Sequence, residues 1–267
     1  MGKVLALVRA SWLEALSYRV KMVFTLAGLL AAALPFFYIA NALQPLMARS
    51  IAQEGGQYLA FLVVGMVTFA FLRTAISSLP EEVGRAIASG TLEAMLGTPT
   101  RMPALLGGLI GYSFVWTGVR AIVFVGLAWL MGAHFIWGRG LMAAGILALI
   151  VVTHITFGVM AAALILAFRT AGPLEGIIVW VSTILGGVYY PTTAIPDWLA
   201  RVSDFVPLTY GLRAMRRALL DTNIDYALLR GDLQILLASG VVLTAVSLAA
   251  FGAALRYARA AGTLAQY

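Results

Sequence analysis

The 267 residues include no cysteine, which excludes a disulfide framework, a thiol nucleophile and a thiolate metal site, and leaves redox chemistry silent about the compartment. Histidine is scarce: His134 and His154 stand twenty residues apart, and neither belongs to an HExxH motif. No glycine-rich phosphate loop closed by Gly-Lys-Ser/Thr occurs, so nothing in the sequence binds ATP by that route. Charge is also sparse. Only 11% of residues are charged and 62% are hydrophobic, with a mean hydropathy of +0.95, against about 25% and about 45–50% in soluble domains. Such a surface cannot be solvated, which excludes a soluble enzyme or a nucleic-acid-binding domain. The net charge of +7 then reads as anchoring beside anionic lipid on one side of a membrane.

What is present in abundance is long apolar sequence. Six stretches reach or approach the ~20 residues that cross ~30 Å of hydrocarbon: Met22–Leu43, Tyr58–Leu79, Ala104–Gly132, Leu141–Phe168, Leu174–Tyr190 and Leu233–Tyr257. They lack the period-two alternation of barrel strands and read as helices. The fold class is therefore an all-α membrane protein with six transmembrane helices, forming a single domain over 1–267 without repeats. Glycine, at 27 residues, exceeds the usual ~7% and suits close helix packing.

Residues 1–21 differ in kind. Leu5, Val8, Trp12 and Leu16 recur at helical spacing, with Lys3, Arg9, Glu14 and Arg19 largely off that stripe, as in an amphipathic helix lying in the interface. Ala31-Ala32-Ala33 mimics a signal-peptide cleavage site, but the apolar run continues past Pro35. Nine Lys/Arg (Lys3, Arg9, Arg19, Lys21, Arg85, Arg101, Arg169, Arg256, Arg259) fall on one side, against Arg49 and Arg139 in the short loops opposite. The positive-inside rule makes both termini cytoplasmic. On this map all eleven acids lie outside the hydrocarbon, which argues against an intramembrane aspartyl protease and weakens a proton-coupled carrier.

Two connections are too elaborate for simple hairpins. Between the second and third spans, Pro80 starts a helix whose positive end suits Glu81 and Glu82, Gly90 interrupts it, and Gly97 with Pro99 ends a second short helix. This inner loop, 80–103, is either a solvated linker or a docking surface. Between the fifth and sixth spans, 191–232 carries two short helical patterns. Trp198, Val202 and Phe205 share one face; Leu208, Leu212, Met215 and Leu219 form a stripe with Arg213, Arg216 and Arg217 opposite. Neither is long enough to span, and both suit re-entrant or interfacial helices anchored by Tyr189, Tyr190, Trp198 and Tyr210. The three arginines either face phosphate groups or pair with Asp204 and Asp221.

Arg120 lies about sixteen residues, ~24 Å, into the third span, on one stripe with Ser113 and Thr117 and beside Trp116. An arginine at that depth faces a bundle interior or a watery cavity. It either meets an anionic substrate group or bonds to backbone carbonyls or His154. Arg73 lies six residues from the expected cytoplasmic end of its span, within snorkelling reach, and receives no role.

The run Ser89-Gly90-Thr91-Leu92-Glu93-Ala94-Met95-Leu96-Gly97-Thr98-Pro99 resembles the "GTLE-x-L-x-x-TP" segment of type-2 ABC transporter permeases. Tyr190-Pro191, Ile195-Pro196-Asp197-Trp198-Leu199 and Val206-Pro207-Leu208-Thr209-Tyr210 resemble that family's second signature. The resemblance implies a non-enzymatic permease subunit of an ABC exporter in the cytoplasmic membrane. It implies pairing with a second permease copy or paralogue and with a cytoplasmic ATPase subunit that binds ATP and Mg, the permease itself holding no cofactor or metal. Glu82, Arg85, Gly90, Thr91 and Glu93, with Trp12 and Glu14, would meet the ATPase. Arg120, Thr117, Trp116 and His154 would line the translocation path, and Pro191, Pro196, Trp198, Pro207 and Tyr210 would shape an outer gate. The alternatives are an ATP-independent carrier or channel and a membrane scaffold. Substrate identity, whether polysaccharide, polyol-phosphate polymer, lipid or drug, is not encoded in these motifs.

Overall fold

Apolar runs that cannot meet water must satisfy their backbone internally, and every regular element found is helical. The structure, a computed structural model, describes residues 19–90, 102–168 and 174–260. Along the chain these form α1 (Arg19–Met47), α2 (Tyr58–Ala88), α3 (Met102–Leu130), α4 (Gly140–Phe168), α5 (Leu174–Leu185), α6 (Asp197–Ser203), α7 (Pro207–Leu220) and α8 (Tyr226–Ala260). Short 3-10 turns at Ala52–Glu54, Trp137–Arg139 and Thr192–Ala194 punctuate the connections. Residues 1–18 of the expected interface helix, with Trp12 and Glu14, lie outside the described residues, as do Thr91 and Glu93; Arg19 to Lys21 open α1.

Four described stretches are long and apolar enough to cross a membrane: Tyr58–Ile87, Ile110–Leu130, Trp137–Ile165 and Tyr226–Ala254. α1, at 29 residues, covers the expected first span. The expected fifth span, Leu174–Tyr190, departs from its sequence reading. Its described helix, α5, has 12 residues, about 18 Å at 1.5 Å per residue, and the chain turns at Gly186-Gly187. The expected sixth span begins earlier, so that Asp232 falls inside an apolar helix. Glu81 and Glu82 lie within the last seven residues of the 30-residue stretch Tyr58–Ile87, which at about 45 Å outreaches the hydrocarbon.

A second correction concerns Pro80. It does not start a helix: α2 runs unbroken through it for 31 residues. Proline lacks the N–H that would bond the carbonyl four residues earlier, here Ile76. Gly158 of α4 lies against that place, where an added Cβ would come 2.7 Å from the Ala75 carbonyl oxygen and 2.8 Å from that of Ile76. Close backbone packing of α4 thus shields the carbonyl that Pro80 leaves free. α2 stops at Ser89, where Gly90 takes φ +66°, a conformation that glycine adopts without steric penalty.

α2 and α4 form the centre, with α8 packed on α4, α3 on α2, and α1 bridging α2 and α3. α7 wedges among α2, α4 and α8 at the end of the bundle opposite Gly90. Phe61, Leu72 and Ile76 of α2, Ile150 of α4, Leu208 and Leu212 of α7 and Leu236 of α8 are fully buried. Polar as it is in composition, α7 is therefore core.

Candidate functional site

A cleft of about 670 Å³ opens between α1, α2 and α3. Arg120, Thr117 and Trp116 line it, as their shared helical stripe requires, together with Tyr112 and Ser113 one turn earlier. The Arg120 guanidinium lies 5.2 Å from the Trp116 ring centroid, in cation–π range. Thr74 and Thr117 join the facing helices at 2.8 Å. Because the Thr74 hydroxyl also donates to the Ala70 carbonyl at 3.0 Å, Thr117 is the donor between the two.

α2 contributes Arg73, Ser77, Ser78 and Glu81 to the same cleft. Since α2 continues through Pro80, Arg73 stands fifteen residues from Tyr58 and fifteen from Ala88, at the middle of its helix rather than within snorkelling reach of one end. Sequence reading passed over it for that reason. Among the described residues neither Arg73 nor Arg120 has a hydrogen-bond acceptor or a salt-bridge partner in the protein.

His154 is not brought to the cleft. It is fully buried in α4, its Nδ1 2.8 Å from the Ile150 carbonyl and its ring 5.9 Å from Phe157. Its Nε2 has no partner, so the pairing with Arg120 weighed from the sequence does not form.

At the end opposite Gly90, the arginines expected on one outward face of α7 take three different environments. Arg213 lies 3.7 Å from Asp204 and donates to Thr192 at 3.0 Å. Arg217 pairs with Asp232. Arg216 is only 2% exposed; it donates to the Gly187 and Val188 carbonyls at 2.9 and 3.1 Å and stacks 3.4 Å from the Phe61 ring centroid. Glu54 is a looser partner at 3.6 Å. Burial pulls the Arg216 pKa down to about 10, and Glu54 opposes that shift, so the side chain stays charged at neutral pH. Asp221, weighed as an arginine partner on this face, instead offers its backbone carbonyl to Arg139.

Around this anchor, Pro191 is buried before the Thr192–Ala194 turn, Pro196 precedes α6, and Pro207 opens α7. Proline has no N–H to leave unpaired at a helix start. Tyr210 donates from its hydroxyl to the Asp204 carbonyl at 2.9 Å, and burial with nearby Asp204 raises its pKa. Tyr190 donates to the Ile184 carbonyl, and Tyr58 reaches the Tyr189 carbonyl at 2.8 Å. Trp198, Val202 and Phe205 of the α6 face are exposed.

At the Gly90 end, Arg85 and half-buried Glu82 pair at 2.6 Å one turn apart on α2. A pair with one open partner contributes little stability, and it leaves the Arg85 side chain accessible near Gly90.

Comparison with known proteins adds a family to this geometry. A family model described as ABC-2 type transporter matches residues 3–220. The chain is also 24% identical over 173 residues to Nodulation protein J of Sinorhizobium fredii (strain NBRC 101917 / NGR234), covering 63% of this chain and 64% of that protein's length.

Proposed function

This chain belongs to the ABC-2 type transporter family, and on that premise we propose that it is the permease of an exporter. It moves a hydrophobic or lipid-linked substrate across the cytoplasmic membrane with ATP hydrolysed by a separate subunit. The observation that carries this reading is the cleft between α1, α2 and α3, which reaches the middle of the long α2 and holds Arg120, Trp116 and Thr117. The absence of a phosphate loop from the sequence supports a partner that binds ATP and Mg.

In this reading Glu82, Arg85 and Gly90, with Thr91, Glu93, Trp12 and Glu14, form the surface that meets the ATPase on the cytoplasmic side, where both termini lie. The region 191–232, including Pro191, Pro196, Trp198, Pro207 and Tyr210, closes the path on the far side. A second permease copy or paralogue completes it, and rocking of the two halves exposes the cleft alternately. The 1–21, 80–103 and 191–232 segments are the interface, coupling and re-entrant parts of one transmembrane domain.

A second reading, an ATP-independent carrier, draws support from Glu81, a carboxylate that lines the cleft. Co-purification with the ATPase encoded beside this chain, followed by transport in vesicles, decides between them. The exporter reading expects uptake into inverted vesicles that needs ATP and is lost in Glu93→Arg. Transport driven by a proton gradient without ATP would favour the carrier.

A further inference from the structure

The cleft is rich in donors and poor in acceptors. Arg73 and Arg120, Tyr112, Ser77, Ser78 and Ser113 all line it. Among the described residues none of the six side chains donates to a protein acceptor. Ser78 is the sharpest case: it is 4% exposed and its hydroxyl has no partner, although a helical serine readily bonds a carbonyl of its own preceding turn. The backbone positions of Arg73 and Arg120 lie near one level on the two facing helices. α2 and α3 are consecutive and joined by the Thr74–Thr117 bond; Arg73 is next to Thr74, and Arg120 is one turn, about 4.5 Å, beyond Thr117. Both arginines stay exposed within the lining, where an anionic group entering the cleft can meet them.

Glu81 is the one carboxylate among the described lining residues; it lies eight residues from Arg73 toward Gly90, within electrostatic reach of that side chain. Two arginines against one carboxylate leave the described lining with a net positive charge. The opposite side of the cleft is apolar, with Phe36 of α1, Met66 of α2 and Phe124 of α3.

We propose that Arg73 and Arg120, helped by Ser78, form a binding site for the phosphate group of an amphiphile whose tail lies along the Phe36–Phe124 side. The site rests on the reading of the cleft as a substrate path and names what that path accepts. A phosphate monoester fits better than a carboxylate or a phosphodiester because it presents three terminal oxygens to this many donors, and guanidinium forks match phosphate oxygens in pairs.

The test uses the purified full chain in phosphatidylcholine nanodiscs, titrated with dioctanoyl phosphatidic acid, dioctanoylglycerol, octanoate and inorganic phosphate. Phosphatidic acid should bind at least about tenfold tighter than each of the other three, and Arg73→Gln and Arg120→Gln should each weaken it about tenfold or more, the size expected for hydrogen bonds to a charged group. Ser78→Ala removes a buried hydroxyl that the protein leaves unpaired, so it should keep the melting temperature while weakening phosphatidic acid severalfold. Equal binding of dioctanoylglycerol overturns the phosphate recognition. Equal binding of octanoate overturns the preference for phosphate, and equal binding of inorganic phosphate overturns the role of the tail. Wild-type affinity in both glutamine variants overturns the site; should those variants not fold, wild-type affinity in Ser78→Ala does so. ATPase association is measured separately at the Gly90 end. A chain that binds the probe through these arginines but captures no ATPase leaves the site standing and removes the exporter reading; the converse result removes the site alone.

Discussion

Arg216 shows how much one side chain holds at the α7 end. Its guanidinium joins α7 to the Gly187-Val188 turn and to Phe61 of α2, while Glu54 stands off at 3.6 Å. Removing a buried charge's partner, or the charge itself, costs about 3–5 kcal/mol when the remaining groups are stranded. Here the stranded groups are two carbonyls and one carboxylate that is partly open to solvent. Arg216→Ala should therefore lose about 3 kcal/mol or more, and Glu54→Gln about 1 kcal/mol or less. Arg216→Lys should fall between, because an ammonium cannot stack on Phe61 and reach both carbonyls with a planar fork. Chemical denaturation in detergent micelles checks the order; a larger loss in Glu54→Gln than in Arg216→Ala would make the ion pair, not the carbonyls, the anchor. None of this is legible in the sequence. The stripe of Leu208, Leu212 and Met215 places the arginines on a polar face, and only the packing of α2 over that face buries one of them.

At the scale of elements, the α2–α4 contact at Gly158 carries a helix of 31 residues unbroken past its proline. A Cβ there would stand 2.7–2.8 Å from two backbone carbonyl oxygens, which cannot step aside as a side-chain end can. Gly158→Ala should destabilise by about 1–3 kcal/mol, as overpacking does, and Gly158→Val by more; thermal melts of the two variants against wild type give the measure. The helix positions themselves were largely readable, because long runs of Leu, Ala, Gly and Val admit little else in lipid. What failed was punctuation. Pro80 has the marks of a helix start, with two glutamates after it, yet the shielding of Ile76 by Gly158 comes from a residue 82 positions away. That error also hid Arg73, which looked able to snorkel only as long as its span ended at Leu79. α6 offers a further element-scale test. Its Trp198, and Phe205 in the turn that follows it, are 66% and 88% exposed, and an apolar face on a helix of 7 residues suits the headgroup layer. Quenching by lipids brominated near the headgroup should fall in Trp198→Phe; quenching unchanged by that substitution places α6 away from the bilayer.

For the whole molecule, the charge count and the geometry together set an orientation that one experiment can decide. α2 alone extends about 46 Å, so the Ser89-Gly90 turn and the 191–232 region stand at opposite ends of the bundle, farther apart than the hydrocarbon is thick. In the proposed orientation, which rests on the lysine and arginine asymmetry, Ser89 is cytoplasmic and Thr193 lies outside. Both are exposed, and the chain has no native cysteine, so single substitutions report without background. Thr193→Cys should react with a membrane-impermeant maleimide in intact cells, and Ser89→Cys only after permeabilisation. The result bears on mechanism as well as topology. An ATPase can reach the Glu82–Arg85 turn only from the cytoplasm, so reversed labelling would detach the coupling role from that end and leave the arginine cleft without its proposed source of energy. Labelling in the expected order instead fixes the direction in which the cleft is entered: Glu81 of α2 stands nearest the cytoplasm, and Arg73 of α2 and Arg120 of α3 lie beyond it. An anionic group arriving from the cytoplasm must then pass one repulsive charge before reaching two attractive ones, so Glu81→Gln should speed loading of an anionic probe applied from that side, measurable as a faster approach to the same final occupancy.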